Sequence, residues 1–129
     1  MSKAIVIKQS VIDSILSYCR YLHPREGILL LRGKTEKDKI IIDNVEIPPF
    51  ATHGQGFSTF PLHMLPIDFS VIGTAHSHPT GNPQPSTQDL NNFYGKIMII
   101  ATYPYNTEQQ ITAYNSQGKP TEYKIEEDE

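Results

Sequence analysis

The stretch FSVIGTAHSHPTGNPQPSTQDLNNF, residues 69–93, contains a strand, a reversal and a helix start in direct succession. Its first part, FSVIGTAHSH, is an apolar run that ends in two histidines, which is typical of a strand buried in a sheet. The segment PTGNPQP predicts a turn, because proline and glycine interrupt regular structure. Ser86 then predicts a helix N-cap, and Gly95 the end of that helix. We therefore expect the two histidines at the C-terminal end of a central strand.

The rest of the chain supplies further elements of a mixed sheet. Between Lys8 and Leu22, apolar residues recur at intervals of three and four, which predicts an amphipathic helix closed by Pro24. The runs EGILLLRG and KIIIDNVEI, separated by the polar turn KTEKD, predict a β-hairpin. A strand is predicted at 96–102, and weaker strands in QITAYN and TEYKIE. The proline-rich and glycine-rich residues 48–66 predict a surface loop or an irregular strand. This order of elements indicates an α+β (α/β-like) domain built around one mixed sheet.

The composition indicates one domain over residues 1–129, with a solvated acidic tail at about 126–129. A formal net charge of -3 without a basic cluster argues against nucleic-acid binding. No apolar run approaches the roughly 20 residues that span a bilayer. The first residues lack the features of a secretory signal peptide, which predicts a cytoplasmic location. The single cysteine, Cys19, excludes an internal disulfide, and we expect it to be buried on the first helix.

The histidines and the following aspartate are spaced as metal ligands. Side chains on a strand alternate between faces, so His76 and His78 point the same way, with Cβ atoms roughly 7 Å apart. Asp89 lies on the first turn of the next helix, and the flexible reversal allows its carboxylate to fold back to the histidines. Two imidazoles and one carboxylate suit zinc and leave a fourth position open for water, which is the mark of a catalytic zinc site.

Each of these residues also has a plain structural interpretation. Two histidines on an apolar strand are often hydrogen-bonded or edge-exposed without binding metal. Ser86 is a good N-cap, and Asp89 sits where the helix dipole favours a carboxylate. Neither role explains the paired histidines, so the metal site is the preferred interpretation.

HSHPTGNPQPSTQD resembles the signature of the JAMM (MPN-domain) zinc metalloproteases, in which His-x-His-Pro is followed, after six intervening residues, by Ser-x-x-Asp. The matching residues are His76, His78, Pro79, Ser86 and Asp89. The family also carries a glutamate on the first strand after the first helix, and PREGILLLRG supplies Glu26 at that place. The resemblance implies a single MPN-type domain with a curved mixed sheet flanked by helices, and a zinc site at the end of a central strand.

The resemblance also implies a chemistry and a substrate. His76, His78 and Asp89 would hold one Zn²⁺ per chain, Glu26 would act as general base, and Ser86 would donate a hydrogen bond to the oxyanion. Family members cut isopeptide bonds between lysine and ubiquitin or ubiquitin-like modifiers, and this chain resembles the stand-alone desampylases. Ser77 would face away from the histidines, with a packing or supporting role. Residues 50–60, FATHGQGFSTF, are our candidate for part of the groove that holds the modifier tail.

Alternatives remain open from the sequence. Related zinc hydrolases process the C-terminus of a sulfur-carrier protein or trim small peptides, and some MPN domains are non-catalytic scaffolds. The oligomeric state also stays open, a homodimer included. The remaining histidines, His23, His53 and His63, are isolated, and we expect them to have surface or packing roles.

Overall fold

The computed structural model describes residues 3–48 and 70–128, together with the backbone of two short strands at 52–54 and 57–59. Its helices are α1 (Gln9–Leu22) and α2 (Thr87–Asn91), with a short 3-10 helix at Glu108–Gln110. Its strands are β1 (Ala4–Lys8), β2 (Ile28–Thr35), β3 (Lys39–Glu46), β4 (Thr52–Gly54), β5 (Phe57–Thr59), β6 (Val71–His78), β7 (Ile97–Thr102), β8 (Ile111–Tyr114), β9 (Pro120–Thr121) and β10 (Lys124–Glu126).

Within the described residues, eight of the strands form one mixed sheet in the order β10-β1-β3-β2-β6-β7-β8-β9. β1 is parallel to β10 and β3, and β6 is parallel to β7, whereas the other neighbours are antiparallel. β4 and β5 pair with each other as a separate antiparallel ribbon. The predicted helix, hairpin and central strand are all confirmed.

Helix α1 packs on the sheet through the apolar stripe that the sequence predicts. Its buried residues are Val11, Ile12, Ile15, Leu16, Cys19 and Leu22, and all of them except Leu22 join the main core of the sheet. Cys19 is buried, as expected. No helix in the described part of the chain is long and apolar enough to cross a membrane.

The central strands bring the predicted site residues to one edge of the sheet. β6 is buried along its length except at His78, as its continuous apolar run predicts. β7 runs parallel to β6, with His78 beside Thr102, so both strands end at the same edge. β2 runs antiparallel to β6, with Ile28 opposite His76, so β2 begins where β6 ends. Glu26, which directly precedes β2, therefore lies at the same edge as the two histidines.

The second helix is shorter than its sequence pattern predicts. We expected it to end at Gly95, but α2 ends at Asn91 and Asn92 is its C-cap. Phe93 instead leaves the helix to pack against Met98 and its neighbours in a second small core. Gly95 has a φ of +79°, and a Cβ atom there would collide with the Ile72 carbonyl oxygen, so this glycine serves the tight entry into β7.

The first strand and the last strand of the described chain pair with each other, and of these two only the last, within TEYKIE, was predicted. β1, with the sequence AIVIK, was not predicted, although its β-branched residues are typical of a strand. β10 pairs with β1 at the far edge of the sheet from β8. The acidic tail beyond it is largely exposed, as expected, yet it also makes specific contacts. Asp128 accepts hydrogen bonds from the Ser10 backbone N–H (2.8 Å) and hydroxyl (2.7 Å) at the start of α1.

The predicted segment at 48–66 lies mostly outside the described residues. Its backbone includes the short strands β4 and β5, and its side chains, His53 and His63 among them, are not described. The proposed groove at 50–60 and the roles of these two histidines therefore stay predictions. His23 is exposed and stacks on Tyr103 with ring centroids 4.3 Å apart, in agreement with the expected surface role.

Candidate metal centre

His76 and His78 stand on the same face of β6, at the end of the strand. His76 is buried, with 6% of its surface exposed, and His78 is half-buried. Because β6 is held on both sides by β2 and β7, the positions of the two Cα atoms are fixed by the sheet. The two imidazoles are therefore presented together at the C-terminal edge, as the sequence predicts.

Asp89 reaches both histidines from the first turn of α2. One carboxylate oxygen, Oδ2, lies 3.0 Å from Nε2 of His78, and the other, Oδ1, lies 4.0 Å from Nδ1 of His76. The reversal between strand and helix thus folds back as predicted. The structure brings together three residues that are separated by up to 13 positions in the sequence.

Each of the three candidate ligands has an outer hydrogen-bond partner. Nε2 of His76 lies 3.1 Å from the Thr74 hydroxyl, and Nδ1 of His78 lies 2.8 Å from the Asn82 carbonyl oxygen. The Ser86 backbone N–H donates to Oδ2 of Asp89 at 2.9 Å. A carbonyl only accepts, so Nδ1 of His78 carries a proton and Nε2 faces Asp89. Outer partners of this kind orient the ligands of protein metal sites.

The electrostatics keep His76 and Asp89 in states that suit a cation. Burial lowers the pKa of His76 to about 4, so this imidazole is neutral at pH 7. Burial opposes the ionisation of Asp89, but hydrogen bonds from His78 and the Ser86 N–H outweigh it and lower the pKa to about 2. For His78, burial lowers the pKa, while its bonds to Asp89 and Asn82 raise it overall. A neutral imidazole and an ionised carboxylate are the forms that bind metals.

The donor set fits a zinc ion in chemistry, and one of its spacings is close to that of a tetrahedral site. Two atoms each about 2.0–2.1 Å from a tetrahedral zinc lie about 3.3 Å apart. The 3.0 Å between Nε2 of His78 and Oδ2 of Asp89 is close to this separation, whereas the 4.0 Å between His76 and Asp89 is wider. No three described His, Cys, Asp or Glu side chains are already arranged as a formed metal cage. The side chains of His76, His78 and Asp89 are thus gathered at one place but not yet at tetrahedral spacing.

Glu26 lies in the electrostatic field of this cluster. It directly precedes β2 and is half-buried. Burial raises the pKa of its carboxyl, while His78 lowers it and the negative charge of Asp89 raises it. A carboxyl whose pKa is raised toward neutrality is better suited to exchange protons than an exposed one. The structure therefore places Glu26, the predicted base, at the same edge of the sheet as the predicted ligands, which follow it in the chain by 50 residues or more.

Ser86 is the N-cap of α2 and forms a capping box with Asp89. The Asp89 N–H donates to Oγ of Ser86 at 3.0 Å, while the Ser86 N–H donates to the Asp89 carboxylate. This bond uses a lone pair of the serine oxygen and leaves its hydroxyl proton as a donor. The capping role and the predicted donor role of Ser86 are therefore compatible.

Two supporting residues were missed from the sequence. Thr74 precedes His76 by two positions on the same strand, so the period of two placed it on the histidine face and could have revealed it. Asn82 contributes a backbone carbonyl, which leaves no trace in residue type. Ser77, predicted only to pack or support, is completely buried and hydrogen-bonds the Gly27 N–H at 2.7 Å.

Most of the chain matches a known protein family. Residues 8–116 match the family model described as prokaryotic homologs of the JAB domain. The chain belongs to this family. A protein of Haloferax volcanii named "Probable metalloprotease" is 30% identical over 113 residues, which cover 82% of this chain and 70% of that protein. The resemblance to JAMM/MPN metalloproteases inferred from the motif is thereby confirmed at the level of the family.

Solved structures of JAB-domain proteins share the fold over nearly the whole chain. A JAB1/MPN domain protein from Archaeoglobus fulgidus has a TM-score of 0.69 at 33% identity, covering 92% of this chain and 96% of that one. A structure described as JAMM, a metalloprotease-like zinc site in the proteasome and signalosome, has a TM-score of 0.67 at 29% identity, covering 95% and 98%. These neighbours confirm the predicted single MPN-type domain with a curved mixed sheet.

Proposed function

We propose that this JAB-domain protein is a zinc-dependent isopeptidase that removes ubiquitin-like modifier proteins from lysine side chains or from linear fusions. The observation that carries the proposal is the meeting of the Asp89 carboxylate with both histidines at the edge where Glu26 also lies. A metal-ligand set alone fits a structural site. A ligand set with an adjacent half-buried carboxyl fits hydrolysis, because amide cleavage needs a group that moves protons.

His76, His78 and Asp89 would hold one zinc ion per chain, and these three protein ligands leave a position open. Bound zinc supplies Lewis-acid chemistry, since it polarises a carbonyl oxygen and lowers the pKa of water. Thr74 and the Asn82 carbonyl orient the two imidazoles, and the Ser86 N–H orients the carboxylate. The ligands are therefore held by the fold before any metal arrives, which reduces the ordering that binding requires.

Glu26 would take a proton from the attacking water and pass it to the leaving amine of the scissile bond. Its half-buried position supports this role, because burial raises its pKa and so makes the protonated form accessible during the reaction. General acid–base catalysis of this kind typically contributes about 10²- to 10⁴-fold in rate.

Ser86 would donate its hydroxyl proton to the oxyanion that forms on the substrate carbonyl. The capping bond from the Asp89 N–H fixes the serine oxygen, so the donor is held in place before the reaction. Loss of one such donor commonly costs about 10²- to 10³-fold in kcat.

A modifier protein with an extended C-terminal tail is the substrate class that we propose. The motif resemblance and the family assignment support this choice, and the groove at 50–60 is proposed to hold the tail by main-chain hydrogen bonds. A scaffold role is less consistent with the molecule, because the described residues keep the complete ligand set and the base together. The cytoplasmic location and the oligomeric state stay predictions.

The proposal is tested by supplying the zinc-loaded protein with a panel of ubiquitin-like modifiers. Each modifier is offered as a lysine isopeptide conjugate and as a linear fusion, and cleavage is followed by mass spectrometry. We expect cleavage at the modifier C-terminus by wild type, and at least about 100-fold slower cleavage by Glu26→Gln with zinc retained. Activity confined to short peptides or to a linear sulfur-carrier fusion would favour the related hydrolases, and inertness on every substrate would overturn the proposal.

A further inference from the structure

Ser77 lies between the two ligand histidines, but its side chain has different partners. It is completely buried, with 0% of its surface exposed. By strand alternation it faces away from His76 and His78. Its hydroxyl instead accepts a hydrogen bond from the Gly27 N–H at 2.7 Å. Ser77 therefore touches the segment that carries Glu26 and not the metal ligands.

We propose that Ser77 is a positioning residue for Glu26: its hydroxyl holds the Gly27 amide and thereby sets where the base stands relative to the ligands on the same strand. The inference rests on the proposed function, since it concerns the geometry of the base in that reaction. It assigns a role in the reaction to the residue between the histidines, for which the sequence indicated only packing or support.

The hydrogen-bond pattern at Gly27 shows how the contact acts. In a regular antiparallel ladder, two facing residues exchange both backbone N–H to C=O bonds. Here the Ser77 N–H donates to the Gly27 carbonyl at 3.2 Å, but the Gly27 N–H goes to the Ser77 hydroxyl. The side-chain oxygen of Ser77 thus takes the place of its backbone carbonyl in the last residue pair of the ladder. The ladder ends at this point, and Glu26 begins the segment that leaves the sheet at the metal edge.

Helix α1 holds the same segment from its other side. A Cβ atom at Gly27 would lie 2.7 Å from Cδ1 of Leu22 and 2.9 Å from a ring carbon of Tyr18. The chain between helix and strand is further tied by a hydrogen bond from the Arg25 N–H to the Leu22 carbonyl, at 2.9 Å. Gly27 is therefore confined between α1 and β6, and the Ser77 hydroxyl, together with the bond from the Ser77 N–H, fixes its position along β6.

One strand would then set both halves of the site. His76 and His78 supply two of the ligands, and Ser77 between them sets the position of Glu26 relative to those ligands. A shift of Glu26 by about 1 Å is enough to cost on the order of 100-fold in rate when the bound geometry is otherwise intact. Removal of the Ser77 hydroxyl should therefore impair catalysis without removing the metal.

The first test compares Ser77→Ala with Ser77→Thr, which keeps the oxygen on the same carbon. We expect both variants to bind one zinc per chain. Ser77→Ala should lose about 10- to 100-fold in kcat with KM changed by less than about threefold, and Ser77→Thr should recover most of the loss. The matched control is Ile99→Val, a buried truncation on the neighbouring β7 that weakens the core without touching the base. It should keep the wild-type kcat.

The second test is a double-variant cycle with Glu26→Gln, which decides the inference even if Ser77→Thr fails to fold. If Ser77 acts through Glu26, adding Ser77→Ala to Glu26→Gln should lower the residual kcat by less than about twofold. Independent, multiplicative losses would overturn the inference, because Ser77 would then act elsewhere.

Hydrogen exchange of the Gly27 amide supplies a readout that does not depend on activity. Ser77→Ala leaves this buried N–H without its acceptor, so its exchange should accelerate by at least about tenfold, while the amide of Ile99 stays as protected as in wild type. An unchanged Gly27 amide contradicts the inference by itself. If zinc-loaded wild type cleaves no conjugate while the Gly27 amide responds as expected, the proposed function has failed and the Ser77–Gly27 contact stands.

Discussion

At the scale of single residues, Asp89 links the two histidines to the start of α2. Its carboxylate meets His76, His78 and the Ser86 N–H. Asp89→Asn keeps the size of the side chain and removes the charge that would offset a cation, so zinc affinity should fall by more than about 100-fold, beyond the loss expected for an outer partner. Competition with a chromogenic chelator measures this. Asp43→Asn removes an exposed carboxylate from β3 and should leave the affinity unchanged; equal losses in both variants would refute the assignment.

Thr74 provides a second prediction at the residue scale. Its hydroxyl lies 3.1 Å from Nε2 of His76, so Thr74→Val should leave the ring without its orienting partner and weaken zinc binding by about 10- to 100-fold. Thr102→Val is the matched control, because this buried threonine on β7 bonds the Gln110 carbonyl and not a ligand. An affinity for zinc that is the same in both variants would mean that Thr74 does not orient His76.

The two histidines were predictable because their side chains carry the chemistry and their spacing follows the strand period, whereas Glu26 was indicated only by the resemblance to the family. The Asn82 carbonyl was not predictable, since any residue offers a carbonyl and only the path of the turn decides which one meets His78. The contact between Ser77 and Gly27 was not predictable either. It joins residues 50 positions apart, and a side-chain oxygen takes the place of a backbone carbonyl in it.

At the scale of elements, the turn between β6 and α2 decides whether Asp89 meets the histidines. This turn is tied to the sheet by the Tyr114 hydroxyl on β8, which donates to the Pro83 carbonyl. Tyr114→Phe removes that one hydrogen bond, worth about 0.5–1.5 kcal/mol, so zinc affinity should fall by about two- to tenfold while the fold is kept. Isothermal titration with zinc measures the change.

Tyr123→Phe is the control for the turn. Its hydroxyl donates to the Ile111 carbonyl at 2.9 Å, so its loss affects the sheet but not the turn. A fall in zinc affinity that is equal for Tyr123→Phe and Tyr114→Phe would show that general stability, and not the turn, governs metal binding.

The elements themselves were predictable where the apolar pattern extended over many residues, as in α1, β6 and β7. The end of α2 was not, because local propensity allowed a helix to Gly95, whereas packing of Phe93 into the small core draws the chain away after Asn91. Pairing of β10 with β1 was equally hidden, since a pairing between the two ends of the chain has no local signal.

At the scale of the whole molecule, buried acids make stability depend on pH. Burial raises the pKa of the Cys19 thiol from 9.0 to about 12, and burial with the charge of Glu108 raises that of Tyr123 from 10.0 to about 12. The unfolded chain releases these protons first, so the contribution is complete below about pH 9 and is lost as the pH rises toward 12.

Urea unfolding between pH 7 and 11.5 measures this dependence. The free energy of unfolding should fall above pH 9, by up to about 1.4 kcal/mol per pH unit from Cys19. Cys19→Ala should be less stable at pH 7, because it leaves a cavity, yet its stability should fall less steeply between pH 9 and 10. A slope identical to that of wild type would show that the thiol does not titrate as its burial implies.

We propose that a zinc ion held by His76, His78 and Asp89 makes this JAB-domain protein a hydrolase of modifier conjugates. The most direct test is the rate of isopeptide cleavage as zinc is titrated back into the metal-free protein. We expect a rate that rises in proportion to bound zinc and levels off at one ion per chain. A rate that is independent of bound zinc, or the same in metal-free and loaded protein, would contradict the proposal.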